Sequence, residues 1–305
     1  MHPRDRQFLT SSPLVPGDTV ALLSPASWSE PDWVTSSVAT LKASGLRVAL
    51  GEHATDQLGY LAGRDEDRLA DLNSAIRDPR VRAVITLRGG CGSFRLVHGV
   101  DVAALRQDPK PLVGFSDITA LHRVWHVTGV ASLHGCVAGA FAEDTLAQLK
   151  GTAPSALRSD HRALTAALTT SGTAEGRLFG GSLEMLARSV GVLELDLRDH
   201  VLLLEANRAA GLGMIDRALA QLRMSGSLDG ITGVAVGRFD GYEGLEDRGW
   251  TVLDVLHDHL DDLGVPILGG LPLGHGPDPQ TVPLSVPCWL DADRGTLTVA
   301  PAFAA

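Results

Sequence analysis

The pattern that most restricts the fold stands near the start of the chain: apolar strand, loop, helix, apolar strand. Thr19 to Leu23 reads T-V-A-L-L after Pro16-Gly17-Asp18 and fits a buried strand. Ser24-Pro25-Ala26-Ser27 makes a loop. Val34 to Ala43 carries apolar residues at helical spacing, and Ser44-Gly45 closes it as a C-cap. Leu46 to Leu50 is a second short strand. Two strands joined through a helix lie parallel, because the crossover carries the chain back to the edge it left. The chain therefore opens as an α/β domain.

The same alternation continues. Arg64 to Arg77 is an amphipathic helix with Leu69, Leu72 and Ile76 on one face, stopped by Asp78-Pro79. Val81 to Leu87 is a strand that runs directly into Arg88-Gly89-Gly90-Cys91-Gly92-Ser93, with a helix starting near Phe94. Leu112-Val113 is a third apolar run. It ends in Gly114, passes Phe115, Ser116 and Asp117, and enters a helical stretch through Trp125. In parallel sheets ligands bind beyond the carboxyl ends of the strands. The Arg88 loop and Ser116 both stand at such ends and are expected to face one crevice.

A strand that turns sharply into a helix at a small polar residue holds that side chain over the sheet edge, with free N–H groups beside it. That is the physics of a nucleophile elbow. The usual elbow has a second glycine two residues after the serine, whereas Ile118 stands there in this chain. A turn in which Ser116 or Asp117 merely caps the helix explains the stretch equally well.

With 305 residues, two domains are expected at roughly 150 residues each. Periodicity weakens where Lys150-Gly151-Thr152, Pro154-Ser155 and Ser171-Gly172-Thr173 punctuate the chain. The expected division is an N-terminal α/β domain over 1–145, an inter-domain linker over 146–175 and a C-terminal domain over 176–305. The last part shows Gly180-Gly181-Ser182 before a helix and a strand, Val201 to Leu204, that ends in Glu205. Helices follow over Met214 to Met224 and Val252 to Leu263, with a strand at Val234 to Gly237 between them. A strand starting at Pro266 is expected to reach Gly274-His275-Gly276, and Cys288 to Asp291 with Thr296 to Val299 reads as a terminal hairpin.

Composition removes several classes of function. The net charge of −10 argues against nucleic-acid or anionic-membrane partners, which need a basic face. Three cysteines, Cys91, Cys136 and Cys288, show no C-x-x-C spacing, so neither a disulfide framework nor a zinc site is expected. His122 and His126 have helical i, i+4 spacing but lack the glutamate of H-E-x-x-H, and His257 and His259 read as solvated. The N-terminus has charge but no apolar stretch, and no run approaches the roughly 20 apolar residues of a membrane span. The expectation is a cytoplasmic protein with no cofactor and no metal.

Three polar side chains stand at strand ends: Ser116, Glu205 and His275. Their chain order is compatible with a serine hydrolase, since such triads are defined by geometry and role. A serine hydroxyl needs a base, an imidazole serves near neutral pH, and a carboxylate fixes the imidazole tautomer. Each has another reading: Glu205 as a solvated strand end, His275 as a turn histidine.

Longer motifs add a resemblance. Y-L-A-G-R-D-E-D-R-L-A-D-L-N at Tyr60 to Asn73, R-G-G-C-G-S-F-R-L at Arg88 to Leu96, G-F-S-D-I-T-A-L-H at Gly114 to His122 and L-H-G at Leu133 to Gly135 occur in order. L-L-L-E at Leu202 to Glu205, I-D-R-A-L-A-Q-L at Ile215 to Leu222 and G-H-G-P-D-P-Q-T-V-P-L at Gly274 to Leu284 follow. Together they resemble the LD-carboxypeptidase family of serine peptidases, which includes murein tetrapeptide carboxypeptidases and microcin C immunity peptidases. The resemblance implies a flavodoxin-like parallel-sheet N-terminal domain, a smaller mixed α/β C-terminal domain and a site between them. It implies Ser116 as nucleophile, His275 as general base and Glu205 as its orienting acid, with the backbone N–H groups of Gly90 and Asp117 as the oxyanion hole. The side chain of Asp117 is assigned to structure.

The chain departs from the family pattern at Cys91, where tyrosine is usual, and at Ser182, where asparagine is usual. Cys136 follows L-H-G where proline is common, and Ala206 to Gly211 replaces an acidic, glycine-containing turn. Arg88, Cys91 and Ser182 are the candidate substrate-binding residues, although a structural salt bridge is the simpler use of Arg88. The expected activity is hydrolysis of an LD-peptide or related amide beside a free carboxylate, releasing D-alanine from murein tetrapeptide in peptidoglycan recycling, by a homodimer. The alternative is cleavage of toxic aminoacyl-nucleotide compounds. Less favoured are an amidotransferase-like enzyme using Cys91 and a non-catalytic binding protein. The apolar stretch Val130 to Phe141 is either core or a dimer face.

Overall fold

The computed structural model describes residues 8–9, 11–151, 153–193, 195–208 and 211–303. In chain order its strands and α-helices begin with β1 (Thr19–Leu23), α1 (Pro31–Ala43), β2 (Arg47–Leu50), α2 (Asp65–Arg77), β3 (Val81–Thr86), α3 (Val102–Gln107), β4 (Leu112–Gly114), α4 (Thr119–Thr128), β5 (Ser132–His134) and α5 (Ala142–Lys150). They continue with β6 (Ser155–Arg158), β7 (Thr173–Ser182), α6 (Leu183–Ser189), β8 (His200–Asn207), α7 (Leu212–Met224), β9 (Gly233–Asp240) and α8 (Val252–Leu260). The last strands are β10 (Ile267–Leu268), β11 (Val282–Leu284), β12 (Pro287–Asp291) and β13 (Thr296–Val299). Two compact units result: Met1–Ala153 with Thr281–Ser285 and Pro301–Ala305, and Pro154–Gln280 with Val286–Ala300.

The first unit is built on a six-stranded sheet in the order β2-β1-β3-β4-β5-β11. The first five strands are parallel and β11 runs antiparallel to β5. That is a flavodoxin-like order with an added edge strand. Val20 to Leu23 of β1 are all buried, as expected of a strand inside a parallel sheet covered on both faces. Helix α2 puts Asp65, Glu66 and Asp67 in its first turn and Arg77 in its last, charges that complement its dipole. Helix α4 is buried on nearly every side and ends at Gly129 in the left-handed region. The order reverses between β1 and β3, so the loops leaving their carboxyl ends flank the crevice where ligands of such sheets bind.

The second unit has a seven-stranded sheet in the order β10-β9-β8-β7-β12-β13-β6. Strands β10, β9, β8 and β7 are mutually parallel, and β12, β13 and β6 continue antiparallel. One apolar cluster unites Leu186 of α6, Leu219 of α7 and Leu256 of α8 with Leu202 and Val234 of the sheet. A capping box, Thr251 with Asp254, starts α8.

Several expectations need correction. The stretch 146–175 is no linker: residues to Lys150 complete α5, β6 pairs with β13, and Leu164–Leu168 forms a 3-10 turn. Its periodicity looked weak because β6 is an edge strand buried only at alternate residues. The strand begun at Pro266 stops after Leu268, because the glycines and prolines that follow cannot hold a ladder. The segment from Ser93 is a 3-10 helix. Thr281–Ser285 returns to the first unit, where the tail had been assigned wholly to the second. Val130 through Ala138 are buried, which makes that stretch core. Thr152, Ala209 and Ala210 lie outside the described residues, as does most of the charged N-terminus. Among the described residues no helix is long and apolar enough to cross a membrane.

Candidate active site

Ser116 sits where β4 ends, with φ at 61°. A non-glycine residue in the left-handed region costs on the order of 1–3 kcal/mol and persists only where its surroundings hold it. Extended Phe115 precedes it, and a 3-10 turn, Ser116–Ile118, leads into α4. No side chain caps either helix start, so neither Ser116 nor Asp117 is a cap. Asp117 instead fastens the neighbouring loop: its Oδ2 accepts the Ser93 N–H at 2.8 Å, and the Ser93 hydroxyl donates to its carbonyl at 2.7 Å. Ile118 is fully buried and takes the space beside Gly114, where a Cβ would lie 2.5 Å from its Cγ2. The glycine that matters in this elbow therefore stands before the serine.

The loop after β3 lies against that serine. A Cβ on Gly89 would meet Ser116 Cβ at 3.0 Å and the Asp117 nitrogen at 3.1 Å. Arg88 is exposed and donates to the Trp28 carbonyl at 3.4 Å; among the described residues it forms no ion pair, contrary to the salt-bridge reading. The Cys91 thiol is exposed, whereas Cys136 and Cys288 are buried and free. Burial pushes the Cys288 thiol up to about 12, and it raises that of Cys136 as well.

In the second unit Glu205 and His275 meet. Glu205 lies near the end of β8, where the register against β9 shifts between Leu204 and Ala206; such irregularities re-aim a side chain. It is completely buried, so it is not a solvated strand end. Its Oε2 accepts from His275 Nδ1 at 2.7 Å and from the His275 backbone N–H at 3.3 Å. Gly274 permits this approach, since its φ is 88° and a Cβ there would fall 2.5 Å from Oε2. A carboxylate on Nδ1 fixes the proton there and leaves Nε2 as the basic nitrogen. Burial pulls the imidazole down, yet the Glu205 hydrogen bond and the charges of Glu205 and Asp240 together leave its pKa raised. Asp240, the last residue of β9, escaped the sequence reading; a polar residue at a strand's carboxyl end was its signal. Ser182 pairs with Glu205 across the β7–β8 ladder.

The other histidines are structural. His122 Nε2 faces the Gly114 carbonyl at 2.8 Å and Nδ1 the Ser132 hydroxyl at 2.9 Å. A carbonyl only accepts, so Nε2 carries the proton and the ring is neutral and fully paired. His126 Nδ1 pairs with Ser285 Oγ at 2.9 Å. His259, read as solvated, is 7% exposed and bonds Asp216 at 3.0 Å. Among the described residues, His53, Asp56 and Asp67 offer donor atoms within 4.8 Å of one another. All three are part-exposed, and His53 Nδ1 already pairs with Asp56 at 2.9 Å, so they carry no metal assignment.

Residues 20–135 match the LD-carboxypeptidase N-terminal domain and residues 175–290 its C-terminal domain. A probable murein peptide carboxypeptidase of Bacillus subtilis is 32% identical over 93% of this chain and 92% of its own. The murein tetrapeptide carboxypeptidase of Pseudomonas aeruginosa is 30% identical over 90% of this chain and 94% of its own. Among solved structures, the microcin C7 self-immunity protein in complex with aspartyl sulfamoyl adenosine superposes with a TM-score of 0.82 at 22% identity. That match covers 97% of this chain and 100% of the other, and it speaks for the fold.

Proposed function

Because the chain belongs to the LD-carboxypeptidase family, we propose that it is a serine carboxypeptidase with Ser116, His275 and Glu205 as its triad. The substrate is a murein tetrapeptide, cut between the L-configured centre of its diamino acid and the terminal D-alanine. The observation that carries the reading is the 2.7 Å bond from His275 Nδ1 to a wholly buried Glu205. It supports a histidine whose second nitrogen is committed to nothing but proton transfer.

In the proposed reaction Ser116 Oγ attacks the scissile carbonyl carbon while His275 Nε2 takes its proton. The negative oxygen of the tetrahedral intermediate is held by the backbone N–H groups of Gly90 and Asp117. The intermediate collapses as the imidazolium gives its proton to the leaving amine of D-alanine. Water, deprotonated by the same imidazole, then hydrolyses the acyl-Ser116 ester and frees the tripeptide. Glu205 stabilises the imidazolium throughout without taking the proton.

The positive φ of Ser116 supports its role, since strain of this kind clusters at active residues. Cleavage of aminoacyl-nucleotide compounds is the second reading. It is favoured by the exposed Cys91, which leaves a smaller side chain where the murein enzymes are expected to carry tyrosine. Mass spectrometry of a panel decides between them: murein tetrapeptides with different diamino acids beside aminoacyl sulfamoyl-adenosines. Loss of D-alanine from a tetrapeptide, abolished in Ser116→Ala and untouched by thiol alkylation, is the expected result. Full turnover by Ser116→Ala would remove the serine mechanism. Loss of turnover on alkylation would turn attention to Cys91.

A further inference from the structure

The geometry points to Ser27 as the positioning residue of the loop that carries the Gly90 N–H, a role that rests on the hydrolytic reading above. Ser27 closes the loop after β1 and is 8% exposed. It grips the Arg88–Gly92 loop on both sides of Gly90. The Ser27 backbone N–H donates to the Gly89 carbonyl at 3.3 Å, and its Oγ accepts the Cys91 N–H at 3.0 Å. The hydroxyl in turn points its proton toward the Cys91 carbonyl at 3.4 Å. Gly90 itself, at φ 100°, lies flush on this serine: a Cβ there would stand 2.5 Å from Ser27 Oγ and 2.7 Å from its Cβ.

The opposite face of the same loop rests on the elbow, through the approach of Gly89 to Ser116 and Asp117. The loop is thus a layer of fixed thickness between Ser27 and the proposed nucleophile. Its far end is fastened by Ser93 and Asp117. Among the described residues the Gly90 N–H has no hydrogen-bond partner, so it is available to a ligand oxygen.

Ser27 can hold the loop because it is held itself. The Ala62 N–H donates to the Ala26 carbonyl at 3.0 Å. The buried guanidinium of Arg68 donates to the Pro25 carbonyl and pairs with Asp65. Ser24 Oγ donates to the Ala54 carbonyl at 2.7 Å. A chain of contacts therefore runs from α2 through the loop after β1 to Gly90. These two loops leave the neighbouring strands β1 and β3, where the sheet order reverses and ligands of this architecture bind. An oxyanion donor works only if it points at the oxygen of the intermediate, and a misplacement of about 1 Å can cost on the order of a hundredfold in rate.

The test compares the full-length wild type with Ser27→Ala, Ser27→Thr and Ser116→Ala. Each is assayed on a murein tetrapeptide and with a phosphonate analogue whose anionic oxygen mimics the tetrahedral intermediate. Ser27→Ala is expected to lower kcat by about tenfold to a hundredfold while KM stays within about twofold. Phosphonate inhibition should weaken by the same factor as kcat/KM, because only transition-state mimics read the oxyanion hole. Affinity for the tripeptide product should not change, and Ser27→Thr, which keeps the hydroxyl, should recover most of the lost kcat. A Ser27→Ala enzyme with wild-type kcat and phosphonate affinity overturns the assignment. So does one whose loss appears only in KM or thermal midpoint, with the ratio of phosphonate to product affinity intact. A wild type that neither cleaves the tetrapeptide nor binds the phosphonate sinks the hydrolytic reading and this role with it. An active wild type, a dead Ser116→Ala and an unimpaired Ser27→Ala sink this role alone.

Discussion

His275 and Glu205 form the pair whose protonation sets when the proposed chemistry can run. The imidazole pKa is raised, since the hydrogen bond and charge of Glu205, with the charge of Asp240, outweigh burial. A base must be neutral to accept a proton, so kcat/KM should climb with pH through a value above that of an ordinary histidine. Glu205→Gln keeps the shape and removes the charge. It is expected to lower kcat by on the order of a thousandfold or more, and to move the remaining acid limb of kcat/KM to lower pH. An unmoved limb would show that Glu205 does not govern the titration. The stability sign is opposite to the activity sign. A raised folded pKa stabilises fully below the unfolded value, and that contribution is lost as pH rises through the folded value. The wild type should therefore lose more of its thermal midpoint than Glu205→Gln between pH 5.5 and 8.5, as scanning calorimetry can measure.

At the scale of elements, α4 does more than follow the serine. Its His122 bridges the Gly114 carbonyl at the end of β4 and the Ser132 hydroxyl of β5. It holds the strand end from which Ser116 departs. Burial, with the neighbouring His134 charge, pushes its pKa down to about 3. The unfolded chain binds a proton there that the folded one refuses, so stability falls as pH drops from the ordinary histidine value toward that point. The slope approaches about 1.4 kcal/mol per pH unit. His122→Leu should remove that slope while costing about 1–3 kcal/mol at neutral pH, because it strands a buried carbonyl and hydroxyl. Urea titrations at pH 4.5 and 7.5 measure both effects. A wild type and variant with parallel pH dependence would exclude the neutral-histidine strut.

At the scale of the molecule, the chain is not two successive pieces. After the second unit is largely built, Thr281–Ser285 returns to the first. There β11 covers the edge of β5, the Thr281 N–H reaches Asp144, and Ser285 pairs with His126. Residues 1–153 expressed alone leave that edge unpaired, and bare edges recruit other chains. They are expected to melt well below the full protein and to associate with rising concentration, read by thermal unfolding and light scattering. A monomeric fragment as stable as the whole would show that the returning strand contributes nothing.

The alternation of strand and helix, the elbow at Ser116 and the strand-end position of Glu205 were all legible along the chain, because each depends on residues close together in sequence. Periodicity reports which face is buried, and a glycine before a polar residue reports a turn. The family motifs extended that reading to His275. Other features are set by partners far along the chain. No local pattern shows that Glu205 would be sealed from water against His275, 70 residues away, or that Asp117 would bind a serine from another loop. The edge strand β6 and the returning β11 were missed for the same reason: short strands acquire their identity from the neighbour they pair with. Composition and spacing thus determined the kind of sheet and the chemistry its ends could carry. Only tertiary packing decided which side chains meet, because burial and hydrogen bonding belong to pairs of residues and not to either member alone.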